Sequence, residues 1–309
     1  MNRCCAPVAP PGQRSAAMAD QRTLSRRGFL ARVGVLGVAV GSGALAAPGL
    51  AGASPLTTTD AGALRPLLAD LARDTLTGLA VFVVPGPDPF SRAQGTPRRE
   101  PGAIEAGTPE SLVDLLDRVV PFPDAMARPV AAAFQTALAG TDPEPRELVG
   151  LPPETVEQVD AALGELLAAP GEGVPLSLAV AMLLNLLATH VDGRSIEGRF
   201  LSPFARLSFA SKARVFALLE GPEADLVAAL GASLPPDLLG VVIGVLRTFA
   251  APLLELPALC TYSEAHVFDP ATRTVTARPV GWDLTGYAGV RDGWDEFRGY
   301  YQGRREVHD

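Results

Sequence analysis

Cysteine, lysine and histidine are all scarce in this chain of 309 residues, which holds three, one and three of them respectively. Two of the cysteines, Cys4 and Cys5, fall in the first five positions, and Cys260 is the only other. Removal of the N-terminal stretch as a leader would leave a single thiol. That excludes an internal disulfide and a cysteine metal cluster, so an exported domain would depend on its apolar core. Lys212 is the sole lysine against 25 arginines, and with abundant Ala, Gly, Pro and Val this is the codon signature of a GC-rich genome. Nucleotide fingerprints are missing too: no Gly-x-Gly-x-x-Gly follows a strand-like run, no phosphate-binding loop occurs, and no Gly-x-Ser-x-Gly presents a nucleophilic serine. Nor is there a basic run. Residues 1–53 carry six arginines and one acid, Asp20, which leaves 20 basic and 33 acidic residues beyond them, a formal −13. Such a balance repels phosphate backbones and argues against nucleic-acid binding.

What the chain does have is apolar residues, 48% of the total, enough for a continuous core. It also has an N-terminal motif. Ser25-Arg26-Arg27-Gly28-Phe29-Leu30 fits the Ser/Thr-Arg-Arg-x-Phe-Leu-Lys pattern of twin-arginine export, departing only at the last position, where Ala31 is followed by Arg32. The run from Val33 to Leu45 is rich in Gly and Ala and too short to span a membrane. Ala51-Gly52-Ala53 puts small residues at −3 and −1 of a cut between Ala53 and Ser54, with Ala44-Leu45-Ala46 as second choice. Met18 precedes Arg26 by eight residues, an ordinary leader spacing, so residues 1–17 read as an over-extended start. An ordinary secretory signal, a retained anchor, and a buried Gly/Ala helix behind two arginines are the competing readings. The expected division is a leader over 1–53 and a mature domain over 54–309, the membrane being met only through the leader.

Helical spacing dominates from residue 60 to about 256. Leu64, Leu67, Leu68, Leu71, Leu76 and Leu79 predict an amphipathic helix that ends before Pro85. Residues 85–108 read as a long loop rich in Gly, Pro and Arg. Thr108-Pro109, Pro152-Pro153-Glu154, Ser202-Pro203 and Pro235-Pro236-Asp237 each look like a helix start. Further helices are expected near 124–139, 153–168, 175–190, 203–220, 223–231 and 236–255. Two of these, 176–189 and 238–256, are strongly apolar. Asn185 and Ser177 interrupt the first, Arg247 and Pro252 the second, and both are expected to be buried central helices of a bundle.

Past Cys260 the character changes. Residues 265–268 and 274–277, joined by Asp269-Pro270-Ala271-Thr272, predict a β-hairpin, and an aromatic tail follows. Both tryptophans, Trp282 and Trp294, and all four tyrosines, Tyr262 and Tyr287 among them, lie beyond residue 260. They can lock the tail onto the body, anchor a partner or line a pocket. Glu264 and His266 would share one side of a strand and could form an acid/base or ligand pair, although two ligands are too few for a metal site. His190 and Asp192 fit a helix end, and Cys260 fits a buried structural cysteine. The expected fold is mainly α: a single helical, bundle-like domain with a short C-terminal β-hairpin and an aromatic-rich tail over 260–309.

Two resemblances add to this reading. Ser25 to Leu30, Leu115-Leu116-Asp117-Arg118-Val119-Val120-Pro121 and the helical body are similar to the gluconate 2-dehydrogenase subunit 3 group, the small subunit of membrane-bound sugar and sugar-acid dehydrogenases. Residues 84–95, Ser202 to Leu207 and the tail from Gly281 to Tyr301 resemble a family of twin-arginine-exported actinobacterial proteins of unassigned function. The first resemblance implies a small subunit that binds no cofactor itself and accompanies a flavoprotein oxidoreductase through the export machinery. The second carries no catalytic residue to transfer. The expectation is an exported accessory subunit, extracellular or in the cell envelope. The alternative is a free-standing secreted enzyme or binding protein with its site at the hairpin and tail.

Overall fold

Proline and short polar residues set where the helices begin. The computed structural model describes residues 25–37, 61–121, 123–140, 153–168 and 174–288. Helix α1 spans Arg26–Val33, α2 Ala61–Val83, α3 Pro89–Gln94 and α4 Thr108–Asp114, the last passing into a π turn over Leu115–Val119. Then follow α5 Pro123–Gly140, α6 Pro153–Ala168, α7 Leu176–Val191, α8 Pro203–Arg206, α9 Phe209–Glu220, α10 Glu223–Leu230, α11 Pro236–Tyr262 and α12 Val280–Thr285. One antiparallel pair, β1 Phe268–Asp269 with β2 Thr274–Val275, lies between α11 and α12 in register Phe268↔Val275. The fold is mainly α, with this short hairpin near the C-terminus the one strand pair among the described residues.

Asp88 and Ser202 each accept a hydrogen bond from the third residue beyond, ahead of a proline at the first helical position, and so satisfy an otherwise orphaned amide. Thr108-Pro109 works differently from expectation. Gly107, at φ 65°, is the capping residue, and its missing side chain leaves the space that the His266 ring occupies. Thr108 is therefore free to pair its Oγ1 with that of Thr261, 2.8 Å away.

The helix expected over 203–220 is two helices. Leu207 is extended, and Ser208 caps the second through the amide of Ser211. The stretch 85–108 is no open loop. Ser91 accepts from the Gly86 amide at 3.0 Å and donates to Asp88 at 2.6 Å, while Gln94 Nε2 donates to the Val81 carbonyl at 2.8 Å, folding the segment back on the end of α2.

At the centre lies α7, buried from Leu176 through Thr189. Helices α2, α5, α8 and α9 pack around it. Its one amide side chain, Asn185, is fully paired: it accepts from the Phe204 amide at 3.1 Å and donates to Thr75 Oγ1 at 3.2 Å and to the Val33 carbonyl at 3.3 Å. A single buried polar group thereby fixes α1, α2 and α8 against α7, and satisfying it avoids a desolvation cost of about 1–3 kcal/mol.

Helix α11 departs from its expected central place. It continues through Pro252 and Pro257 to Tyr262 and lies on the outside of the body. Val242, Ile243, Leu246, Phe249, Ala250, Leu253 and Cys260 face inward, and the opposite side faces solvent. By length and composition it is the one described helix able to cross a membrane; core helices of soluble proteins pass the same test.

Candidate functional site

The segment that fits the twin-arginine pattern is part of the packed body. Ser25 caps α1 through the Gly28 amide, and Gly34, at φ 89°, ends it. Arg26 is ion-paired with Asp160 of α6 at 3.2 Å, and Arg27 is buried. Phe29 and Leu30 are wholly closed to solvent, with the Phe29 ring 5.5 Å from that of Phe134 in α5. Ala53 and Ser54, where a cut is expected, and Trp294 in the tail lie outside the described residues.

Near the C-terminus the structure separates what the sequence paired. Glu264 and His266 precede β1 in a turn, so they share no strand face. Glu264 accepts from the Trp282 indole at 2.9 Å, whereas His266 is exposed with its ring against Gly107. Trp282 meets the Tyr287 ring edge-on at 5.1 Å, with the Arg278 guanidinium 5.7 Å above the indole. Arg278 also donates to Asp283 at 2.5 Å and to the Tyr287 carbonyl at 2.7 Å. These contacts tie α12 to the end of α11, and a Cβ on Gly281 would meet the Tyr262 carbonyl at 2.5 Å. The aromatics are half-buried to exposed: Trp282 is partly covered, while Tyr262 and Tyr287 are each 47% exposed.

The outward side of α11 continues from this cluster. Gly240, Val241, Gly244, Thr248, Ala251, Leu259 and Tyr262 form it, with Arg247 and Glu255 the only charges after Asp237. Leu259 is 60% exposed and Val241 47%, with Tyr262 one turn beyond Leu259. Small residues one turn apart let another helix approach closely.

Two further places were not foreseen. A cavity of about 270 Å³ opens beside α2, α6 and the start of α7, floored by Leu68, Ala72, Leu166 and Leu178. Its polar groups are already engaged. Asp117, in the π turn, takes the Ser177 amide and hydroxyl at 2.8 Å each and so caps α7, and Arg73 lies 3.1 Å from Asp70. The second place is Lys212, completely buried in α9. Its Nζ donates to the Gly78 carbonyl and to Gln94 Oε1, both at 2.8 Å, and stands 5.5 Å from the Phe204 ring centre. Burial pulls its pKa down to about 7, against the opposing pull of Asp74 and Asp88. Its signal in the sequence is the spacing Lys212, Val215, Phe216, Leu219, which puts the lysine on the apolar stripe of its helix.

Cys260 is a buried free thiol whose pKa burial raises, the opposite of an activated nucleophile. His190 stands in the last turn of α7, and Asp192 caps the short turn that follows through the Arg194 amide. Among the described residues no group of three or more His, Cys, Asp or Glu side chains is placed to hold a metal ion. Compared with known protein families, curated proteins and solved structures, the chain matches none.

Proposed function

We propose that this chain is an accessory subunit, carried by the twin-arginine route to the cell envelope or beyond. There it escorts or supports a flavin-dependent oxidoreductase subunit and is not itself catalytic. The flavin sits in the partner. The observation that supports this best is the outer face of α11, where Val241, Leu259 and Tyr262 stand exposed along a stripe of small residues that carries Arg247 and Glu255 as its charges. A stripe of that kind suits a second protein's helix or sheet face better than water. The motif Ser25 to Leu30 adds the route. Twin-arginine export passes folded cargo, which serves a partner that must take up its cofactor before leaving the cytoplasm. The resemblance to the small subunit of sugar-acid dehydrogenases names the partner's class.

The test is native purification from the host's envelope or medium, followed by mass spectrometry and a flavin absorbance spectrum. A chain beginning at Ser54 with a stoichiometric flavoprotein is the expected result. Recovery of this chain alone, under conditions gentle enough to keep known complexes together, overturns the partnership.

A further inference from the structure

Residues that define the export motif are held by the very domain they would lead. Arg26 is paired with Asp160, Arg27 is only 5% exposed, and Phe29 and Leu30 are closed off. The site that holds them is specific in chemistry as well as shape. It offers a carboxylate to the first arginine, an aromatic ring, Phe134, to Phe29, and the Asn185 amide to the Val33 carbonyl at the bend. Beyond the bend, Val35 and Leu36 are buried as well. A receptor that reads two adjacent arginines followed by Phe-Leu needs those side chains within reach.

We infer that the groove formed by α5, α6 and α7 is a binding site for α1 of the same chain. The protein folds around its own twin-arginine helix, and the motif becomes readable only when α1 leaves the groove. This rests on the export reading above. Its consequence is that a folded chain competes with the export machinery for one helix, and that loosening the groove, with both arginines untouched, speeds export.

Two variants loosen it from opposite sides. In Gly34→Ala the new Cβ comes 2.8 Å from Leu71 Cδ1 and 3.0 Å from Pro203 Cδ at a backbone angle that alanine disfavours, which strains the bend that seats α1. In Asp160→Ala the groove loses the partner of Arg26. Hydrogen exchange is measured on uncut full-length chain, and export by pulse–chase in the host. The expected result is that the amides of Leu30 to Val33 are protected in the wild type. Gly34→Ala lowers that protection by at least about tenfold while α7 keeps its own. Both variants leave the cytoplasm faster, Asp160→Ala by about threefold, as fits a partly exposed ion pair.

Unprotected α1 amides in the wild type overturn the proposal, as does protection combined with unchanged export of both variants. A chain with Arg26→Lys and Arg27→Lys tests the export reading separately. If it is exported as well as the wild type, that reading fails and the masking role with it, while the exchange data still report whether the groove holds the helix.

Discussion

Lys212 Nζ and Gln94 Oε1 stand 2.8 Å apart in the sealed interior where α9 meets α3, and the lysine's second partner is the Gly78 carbonyl of α2. A side chain normally found at the surface here joins three helices. Burial lowers its pKa to about 7 from 10.5.

A pH dependence of stability follows from that shift. Below pH 7 the lysine is protonated in both folded and unfolded chains, and between about 7 and 10.5 only the unfolded chain keeps the proton. The unfolded state then binds more protons, so stability rises with pH across this window by at most about 1.4 kcal/mol per unit. Urea midpoints of wild type and Lys212→Met, compared from pH 6 to 10, should diverge with that sign. Parallel curves would show that the buried amine does not titrate there.

Two glycines in helices should respond oppositely to alanine. At Gly78 a Cβ would come 2.8 Å from the Ala205 Cα in α8, backbone that cannot yield without separating the helices. Gly78→Ala should cost about 1–3 kcal/mol in spite of alanine's better helix propensity. At Gly240 nothing lies within 4 Å, and Gly240→Ala should gain up to about 1 kcal/mol. Equilibrium unfolding with unchanged m-values checks both.

The outer face of α11 can be separated from the stability of the fold. Leu259→Glu replaces an exposed side chain, so the unfolding free energy should stay within about 0.5 kcal/mol of wild type. If Leu259 anchors the proposed flavoprotein partner, that partner's recovery on native purification should fall at least about tenfold. Undiminished recovery would place the contact elsewhere.

Much of the helical order was legible because punctuation and periodicity agreed. Pro153, the Ser202-Pro203 pair and the leucine spacing of α2 fall where the helices begin and run. The misses have physical causes. The helix expected over 236–255 keeps Pro252 inside it but stops seven residues short; α11 runs on past Pro257 to Tyr262, because the inward packing of Phe249, Leu253 and Cys260 outweighs a proline cost of about 3 kcal/mol. The break at Leu207 was hidden because Ser208 can cap a helix or sit inside one. Glu264 and His266 looked like a pair only on the assumption of a strand, and the turn before β1 removes it. Lys212 was visible as an oddity of composition before its place on an apolar stripe gave it meaning. The motif of α1 favours an address over the buried Gly/Ala helix that competes with it, yet Phe29, Leu30, Val33 and Leu36 are core residues, and a leader and a core helix share the same apolar residues.

The burial of Lys212 leaves the folded protein with an unusual chemistry toward amine reagents. It is the sole lysine of the sequence and has no solvent-exposed surface. Amine-directed acylating labels and lysine-directed cross-linkers therefore find an α-amino group, and no lysine, as their amine target on the native chain. A single tag marks whichever residue comes first after processing, and a second tag counts unfolded molecules.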